Sequence, residues 1–387
     1  MSTSRPATIM AGIPQTNMSL YRRIRFLVGD PVAIIEVPRE GGTRKSTLII
    51  RDIEMDRAKK HARADEVICP TDTAPASGLS GDRETATAQS VTEFLKRNKV
   101  SKVVADRTLP LIFASIIRQA GIEVECDVEM GVLSRRSKDD QEIEMLRQAQ
   151  RATEEAMEMA CRTIARAKPG KGGLLSHDGA TLTAERVRSM ISTFLMERGY
   201  FNPPSIVACG SQGGDCHDHG HGELFADQAI IVDIFPRNQS TLYNGDCTRT
   251  VVNGTPSAEL VRMHKAVVEA KAAAIAATRA GRTGEDVHRA TMDSLKKHGF
   301  ERGLPKADSP ETYTSMQHGT GHGVGLDVHE PPLLDMGAPV LVAGDALTIE
   351  PGLYSRAYGG VRVEDMVIVT RDGCINLNTL PEGLDWK

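Results

Sequence analysis

The sequence predicts an α+β protein in two parts: a smaller α/β N-terminal domain over residues 1–135 and a larger α+β domain over 136–387. Three observations carry this. Short β-rich runs alternate with helical stretches in the first third of the chain. A charged segment with a helix-capping signature follows. Beyond it, long helical stretches gather beside β-rich runs.

In the first part, VAIIEV (32–37) and STLIIR (46–51) read as strands, ATAQSVTEFLKRN (86–98) as a helix and KVVAD (102–106) as a strand. LPLIFASIIRQAG (109–121) reads as a helix closed by Gly121. No cluster of His, Cys or acidic residues marks this part as chemical. The boundary lies in LSRRSKDDQEIEML (133–146), where RRSKDDQE is expected to be an exposed linker and Asp139 with Glu142 fits a capping box. Ile143, Leu146, Ala149, Ala156, Ala160 and Ile164 then recur at helical spacing, giving one apolar face of a long helix ended by Pro169 and Gly170. A second helix over 181–197 stops at Gly199. Strands follow at 204–210, 228–235 and 245–254, helices at 257–280 and 283–298, and further strands near 345–349 and 361–369.

Composition bounds the function. Apolar residues make up 40% and charged residues 25%, as in soluble globular enzymes. A net charge of -4 argues against a nucleic-acid binder, which normally carries a basic face. No apolar run approaches the roughly 20 residues that span a bilayer. The opening MSTSRPATIMAGIP is a poor secretory signal, and seven scattered cysteines fit reduced thiols, so a cytoplasmic location is expected.

The chemistry concentrates in the second part. QHGTGHGVGLDVHE (317–330) holds three of the chain's eleven histidines and four alternating glycines. Neither phosphate-cradling glycine spacing is present, so a metal site is the better reading. The glycines are expected to admit close backbone approach and positive φ. Four acids sit in β-rich apolar text: Asp233 in IIVDIF, Asp246 in DCTRT, Glu350 in TIEPGLY, and Glu364 in GGVRVED, read as lying inside a strand. A lone acid on a core strand costs several kcal/mol unless paired or bound to a cation. Asp233 or Asp246 alone fits a buried salt bridge with Arg249, and only Arg249 and Arg362 lie close in sequence as cationic partners for the four. Four together fit one or two shared divalent cations, and one imidazole among carboxylates suits Mn²⁺, Co²⁺, Fe²⁺ or Zn²⁺.

The set IIVDIF, NGDCTRT, HGTGHGVGLDVHE, IEPGLY and GGVRVED, in that order, resembles the pita-bread metallopeptidases: Xaa-Pro aminopeptidases, prolidases and methionine aminopeptidases. The resemblance covers about 136–387; the first part is similar, more weakly, to the creatinase-like accessory domain. It implies two divalent ions, Mn²⁺ foremost, held by Asp233, Asp246, His322, Glu350 and Glu364. Asp246 and Glu364 would bridge them, Asp233 completing one and His322 with Glu350 the other. It implies hydrolysis of Xaa-Pro peptide bonds by a hydroxide shared between the metals, with Glu350, His329 and His217 catalytic. His217 and His329 would also contact substrate, with Tyr354 and Arg362 near it, and His318 would shape the loop. The partner is a peptide with proline in second position, with no nucleic acid or membrane involved, and the family habit is a homodimer. A methionine-aminopeptidase-like enzyme, a metal-free hydrolase or a non-enzymatic binding member of the fold are the alternatives.

Two departures stand out. The family's D-x-G after the first ligand is Asp233-Ile234-Phe235, and thirteen residues separate Asp233 from Asp246 instead of about eleven. CHDHGH (216–221) holds three histidines where one is usual, leaving His219 and His221 as candidates beside His217. A polar loop or a separate zinc site with Cys216 would account for the extra pair.

Overall fold

The computed structural model describes residues 6–387, in two compact units that divide between Arg135 and Arg136. The first unit is a six-stranded mixed sheet. Its strands are β1 (Ala7–Gly12), β2 (Val32–Pro38), β3 (Arg44–Ile49), β4 (Glu66–Ile68), β5 (Lys102–Asp106) and β6 (Glu123–Asp127), in the order β4-β3-β2-β1-β5-β6. Helices α1 (Met18–Ile24), α2 (Met55–His61), α3 (Arg83–Arg97) and α4 (Leu111–Gln119) accompany it. Ile9, Ile35, Val91, Val103 and Phe113 share one buried cluster, so α3 and α4 pack on one face of the sheet. Asn17 and Asp82 cap α1 and α3 through Leu20 and Thr85 N–H groups.

Three of these strands escape sequence pattern. β4 and β6 are short, charged edge strands, a composition that blunts open edges. β1 lies in the weak apolar patch of the N-terminal stretch and runs through the middle of the sheet, antiparallel to β2 and parallel to β5.

The second unit opens on buried charge. The RRSKDDQE segment is not an exposed linker: Arg136 and Lys138 are buried, with Arg136 on Asp345 at 2.7 Å and Lys138 Nζ on Glu330 at 2.5 Å. The expected capping box then opens α5 (Asp140–Arg166), Asp139 accepting from Glu142 N–H and Glu142 from Asp139 N–H. α5 and α6 (Ala184–Met196) bury their apolar faces on a three-stranded antiparallel sheet of β7 (Ile206–Cys209), β8 (Ala229–Ile234) and β9 (Cys247–Val252). Helices α7 (Ala258–Ala277) and α8 (Gly284–Lys297) pack together beside a second group of strands. That group includes β10 (Gly321–Gly323), β11 (Glu330–Leu334), β12 (Ala346–Ile349), β13 (Gly352–Ser355), β14 (Gly359–Arg362), β15 (Asp365–Val369) and β16 (Cys374–Asn376). The five-stranded order is β11-β10-β12-β15-β16, while β13 and β14 pair with each other.

Candidate metal centre

Strand register brings the acids together. Asp233 on β8 pairs opposite Thr248 on β9, and Ile234 opposite Cys247 is the last pair. Side chains two apart share a face, so Asp246, two residues before Thr248, falls on the side that Asp233 faces. It does not lie on the strand as expected but immediately precedes it. In the second group Ile349 pairs with Asp365 at the end of β12 and β15. Glu350 and Glu364 are the next residues outward on each chain and stand opposite each other. Glu364 therefore sits at the break between β14 and β15, not inside a strand. The long Asp233–Asp246 interval disturbs none of this: Phe235 onward forms a hairpin closed by Gly245 N–H on the Pro236 carbonyl at 3.0 Å.

His322 joins from β10, next to β12. Its Nδ1 lies 3.1 Å from the Gly323 carbonyl, which can only accept, so Nδ1 carries the proton and Nε2 presents its lone pair. That Nε2 is 3.4 Å from Glu350 Oε1 and 3.8 Å from Asp246 Oδ2. Asp246, His322 and Glu364 each offer one ligand atom within 4.8 Å of the others. Thr248 Oγ1 donates to Glu364 Oε2 at 2.7 Å, and Thr348 Oγ1 accepts from His322 N–H at 3.0 Å.

These groups line a cavity of about 660 Å³. Five carboxylates face it (Asp233, Asp246, Asp335, Glu350 and Glu364) against one guanidinium, Arg362. Arg302 forks onto Asp335, leaving four acids to a single cation. The imbalance shows in the protonation equilibria. Burial, then the charges of Glu364, Asp233 and Glu350, push the Asp246 carboxyl well above its ordinary range. Burial with Glu350 and Asp233 does the same to Glu364. Burial also lifts Glu350 to about 7, against the pull of Arg362. Asp233 Oδ1 is buried and finds no hydrogen-bond partner among the described residues. Oxygen donors with uncompensated charge and a free imidazole nitrogen are the donor set that hard or borderline divalent ions satisfy, so the residues fit the metals the sequence implies.

Of the two cations close in sequence, Arg362 pairs within the site and Arg249 does not. Arg249 pairs with Asp365 at 2.9 Å, and Asp233 is held instead by Arg362 at 2.7 Å. His217 and His219 both line the cavity from the surface, whereas His221 is not among its lining residues. Cys216 lines the cavity too but does not join the His–acid cluster. His329 lines it with its ring edge-on to His322, centroids 4.3 Å apart. Tyr354 lies behind the wall, 1% exposed, its hydroxyl 2.6 Å from His318 Nε2 and 3.0 Å from Arg362 Nη1. Phe235, the residue in place of the usual glycine, lines the cavity with Pro203 and Ile206.

The alternating glycines have one cause rather than two. Gly319, Gly321, Gly323 and Gly325 do not adopt positive φ. They form one face of the β10 segment, and Cβ atoms there would meet the Leu334 carbonyl at 3.0 Å, the Thr348 carbonyl at 2.0 Å, the Glu330 carbonyl at 2.4 Å and the Glu330 carboxylate at 2.5 Å. Close backbone approach explains the spacing.

The chain belongs to metallopeptidase family M24, whose pattern matches residues 144–371. It is 37% identical over 182 residues to a probable dipeptidase PepE from Mycobacterium tuberculosis, covering 46% of this chain and 45% of the relative. It is 35% identical over 136 residues to an Xaa-Pro dipeptidase from Pyrococcus furiosus, covering 35% and 36%. The matched segments thus span less than half the length of these curated relatives. The fold as a whole matches the solved Xaa-Pro dipeptidase from Bacillus anthracis with a TM-score of 0.78 and 24% identity, over 98% of this chain and 94% of that one.

Proposed function

We propose that this chain is a peptidase dependent on two divalent metal ions that cleaves the bond between a first residue and a following proline. The observation that carries the reading is the cavity in which four closely set acids and the free Nε2 of His322 face one guanidinium. Asp233, Asp246, His322, Glu350 and Glu364 are the residues that would hold the ions, with Asp246 and Glu364 shared. When bound, two such cations acidify a water and polarise a carbonyl. The remaining roles fall to the chain itself. Glu350, a carboxylate lining the cavity, is the candidate to accept the proton of the attacking water. His329 and His217 line the same cavity and are the candidate donors to substrate oxygen or departing nitrogen. Arg362 and Tyr354 hold the wall behind Asp233. The relatives named as Xaa-Pro dipeptidases support proline in second position.

Manganese as the working metal and a homodimer belong to the same proposal, resting on the family resemblance. A cytoplasmic location is supported by seven cysteines present as free thiols, four of them buried. Among the described residues no helix is long and apolar enough to cross a membrane.

The test is metal analysis of the purified protein, then initial rates on Gly-Pro and on Xaa-Pro-Xaa tripeptides with Mn²⁺ or Co²⁺. Turnover confined to metal-loaded protein is expected, and the preferred length separates dipeptidase from aminopeptidase. A protein inert with every added divalent ion overturns the proposal in favour of a binding member of the fold.

A further inference from the structure

Asp246 and Glu364, the two acids assigned to both metals, lie just outside their strand ladders. The Glu364 N–H still donates to the Thr248 carbonyl at 3.1 Å and Arg249 reaches the Glu364 carbonyl, whereas both main-chain groups of Asp246 are held by a side chain. Gln150, fully buried on α5, accepts from the Asp246 N–H at 2.9 Å and donates from Nε2 to the Asp246 carbonyl at 2.7 Å. The same Nε2 donates its second hydrogen to Asn378 Oδ1 at 3.0 Å. That oxygen also accepts from the Met366 N–H at 2.8 Å, two residues past Glu364. Both Nε2 hydrogens and the Oε1 acceptor of Gln150 are thereby engaged. Two carboxamides bridge the segment carrying Asp246 to the segment carrying Glu364.

We propose that Gln150 and Asn378 are positioning residues that set the separation of the Asp246 and Glu364 carboxylates, and through it the affinity for the second metal ion. This rests on the two-metal reading of the site. Neither amide lines the cavity, and neither reaches substrate. Their effect passes through the backbone of the acids, as groups behind metal ligands generally tune a site by orienting them.

The experiment is Co²⁺ titration of metal-free protein, followed by calorimetry and by the visible d–d absorption of the bound ion. The proteins compared are wild type, Gln150→Leu, Asn378→Ala and the double variant. Wild type is expected to take two ions. Each single variant should bind the second about 10–100-fold more weakly and show altered band intensities. The double variant should lose no more than the worse single one, because both act through one bridge. Asn378 is only half-buried, so its variant carries the test if Gln150→Leu does not fold. Folded variants with lower melting temperatures but wild-type stoichiometry, affinity and spectrum would reduce the bridge to a helix-to-sheet tie and overturn the inference alone. A wild type that binds no Co²⁺ overturns the two-metal reading and the inference with it.

Discussion

Arg362 donates from Nη2 to Asp233 Oδ2 at 2.7 Å, so the one guanidinium in the cavity is committed to one of its acids. The same group reaches the Tyr354 hydroxyl at 3.0 Å, the Cys216 carbonyl at 3.1 Å and Thr248 Oγ1 at 3.2 Å. A planar fork makes these contacts and an ammonium cannot. Arg362→Lys is therefore expected to lose about 10–100-fold in turnover despite keeping the charge. Steady-state rates with metal content measured alongside would check it; wild-type turnover would show that only charge matters.

His318 predicts a pH signature. Its Nδ1 lies 2.7 Å from the Gly319 carbonyl and must carry the proton, so its Nε2 accepts from Tyr354. Burial, then the Arg362 charge, holds its pKa down at about 3 against an ordinary 6.5. The unfolded chain takes up a proton below pH 6.5 that the folded chain refuses. This residue's contribution to stability is thus intact above 6.5 and lost as pH falls toward 3. Thermal melts across that window should fall more steeply for wild type than for His318→Gln. Parallel curves would remove the residue from the acid response.

Glu350→Gln keeps the shape of a half-buried side chain and removes its proton acceptor. Turnover should drop by roughly 10²–10⁴-fold while the circular dichroism spectrum stays that of wild type. Residual activity within a few-fold of wild type would assign the proton to another group.

Lys138 and Glu330 are each only 2% exposed at the side chain. Lys138→Ala removes one partner of a buried ion pair, a change that costs about 3–5 kcal/mol. Urea unfolding should show that loss; an unchanged midpoint would mean that the Lys138–Glu330 pair adds nothing to stability.

Gly321→Ala would put a methyl 2.0 Å from the Thr348 carbonyl, where both partners are backbone in paired strands. It should fold poorly or not at all. Gly337→Ala, with nothing within 4 Å of the added atom, should remain soluble despite its positive φ of 74°. Equal yields of the two variants would contradict the steric account of the alternating glycines.

The four acid positions were legible because each falls in β-rich apolar text, where charge without compensation is costly, and His322 because its motif is dense in histidine and glycine. The capping box at Asp139 was legible because its chemistry is local, its partners three positions apart. What pattern could not supply was partnership across the chain. Arg249 stands three residues from Asp246 yet serves Asp365, over a hundred residues later. Gln150 looks like any polar position on an amphipathic helix, and only register makes it the neighbour of Asp246. Arg136 and Lys138 lie in text whose composition is that of a solvated linker, and their partners Asp345 and Glu330 are some two hundred positions away. Tyr354 falls in a site-like motif, but whether it lines the cavity depends on which face of β13 it takes.

The two buried cations just after the unit boundary also bear on where the larger unit can be cut. Family similarity starts at residue 144, inside α5, and a clone trimmed to that point would discard Arg136, Lys138 and the helix cap together. Asp345 and Glu330 would then each lose a buried ion-pair partner. The shortest autonomous version of this half must begin upstream of its recognisable homology, at or before Arg136.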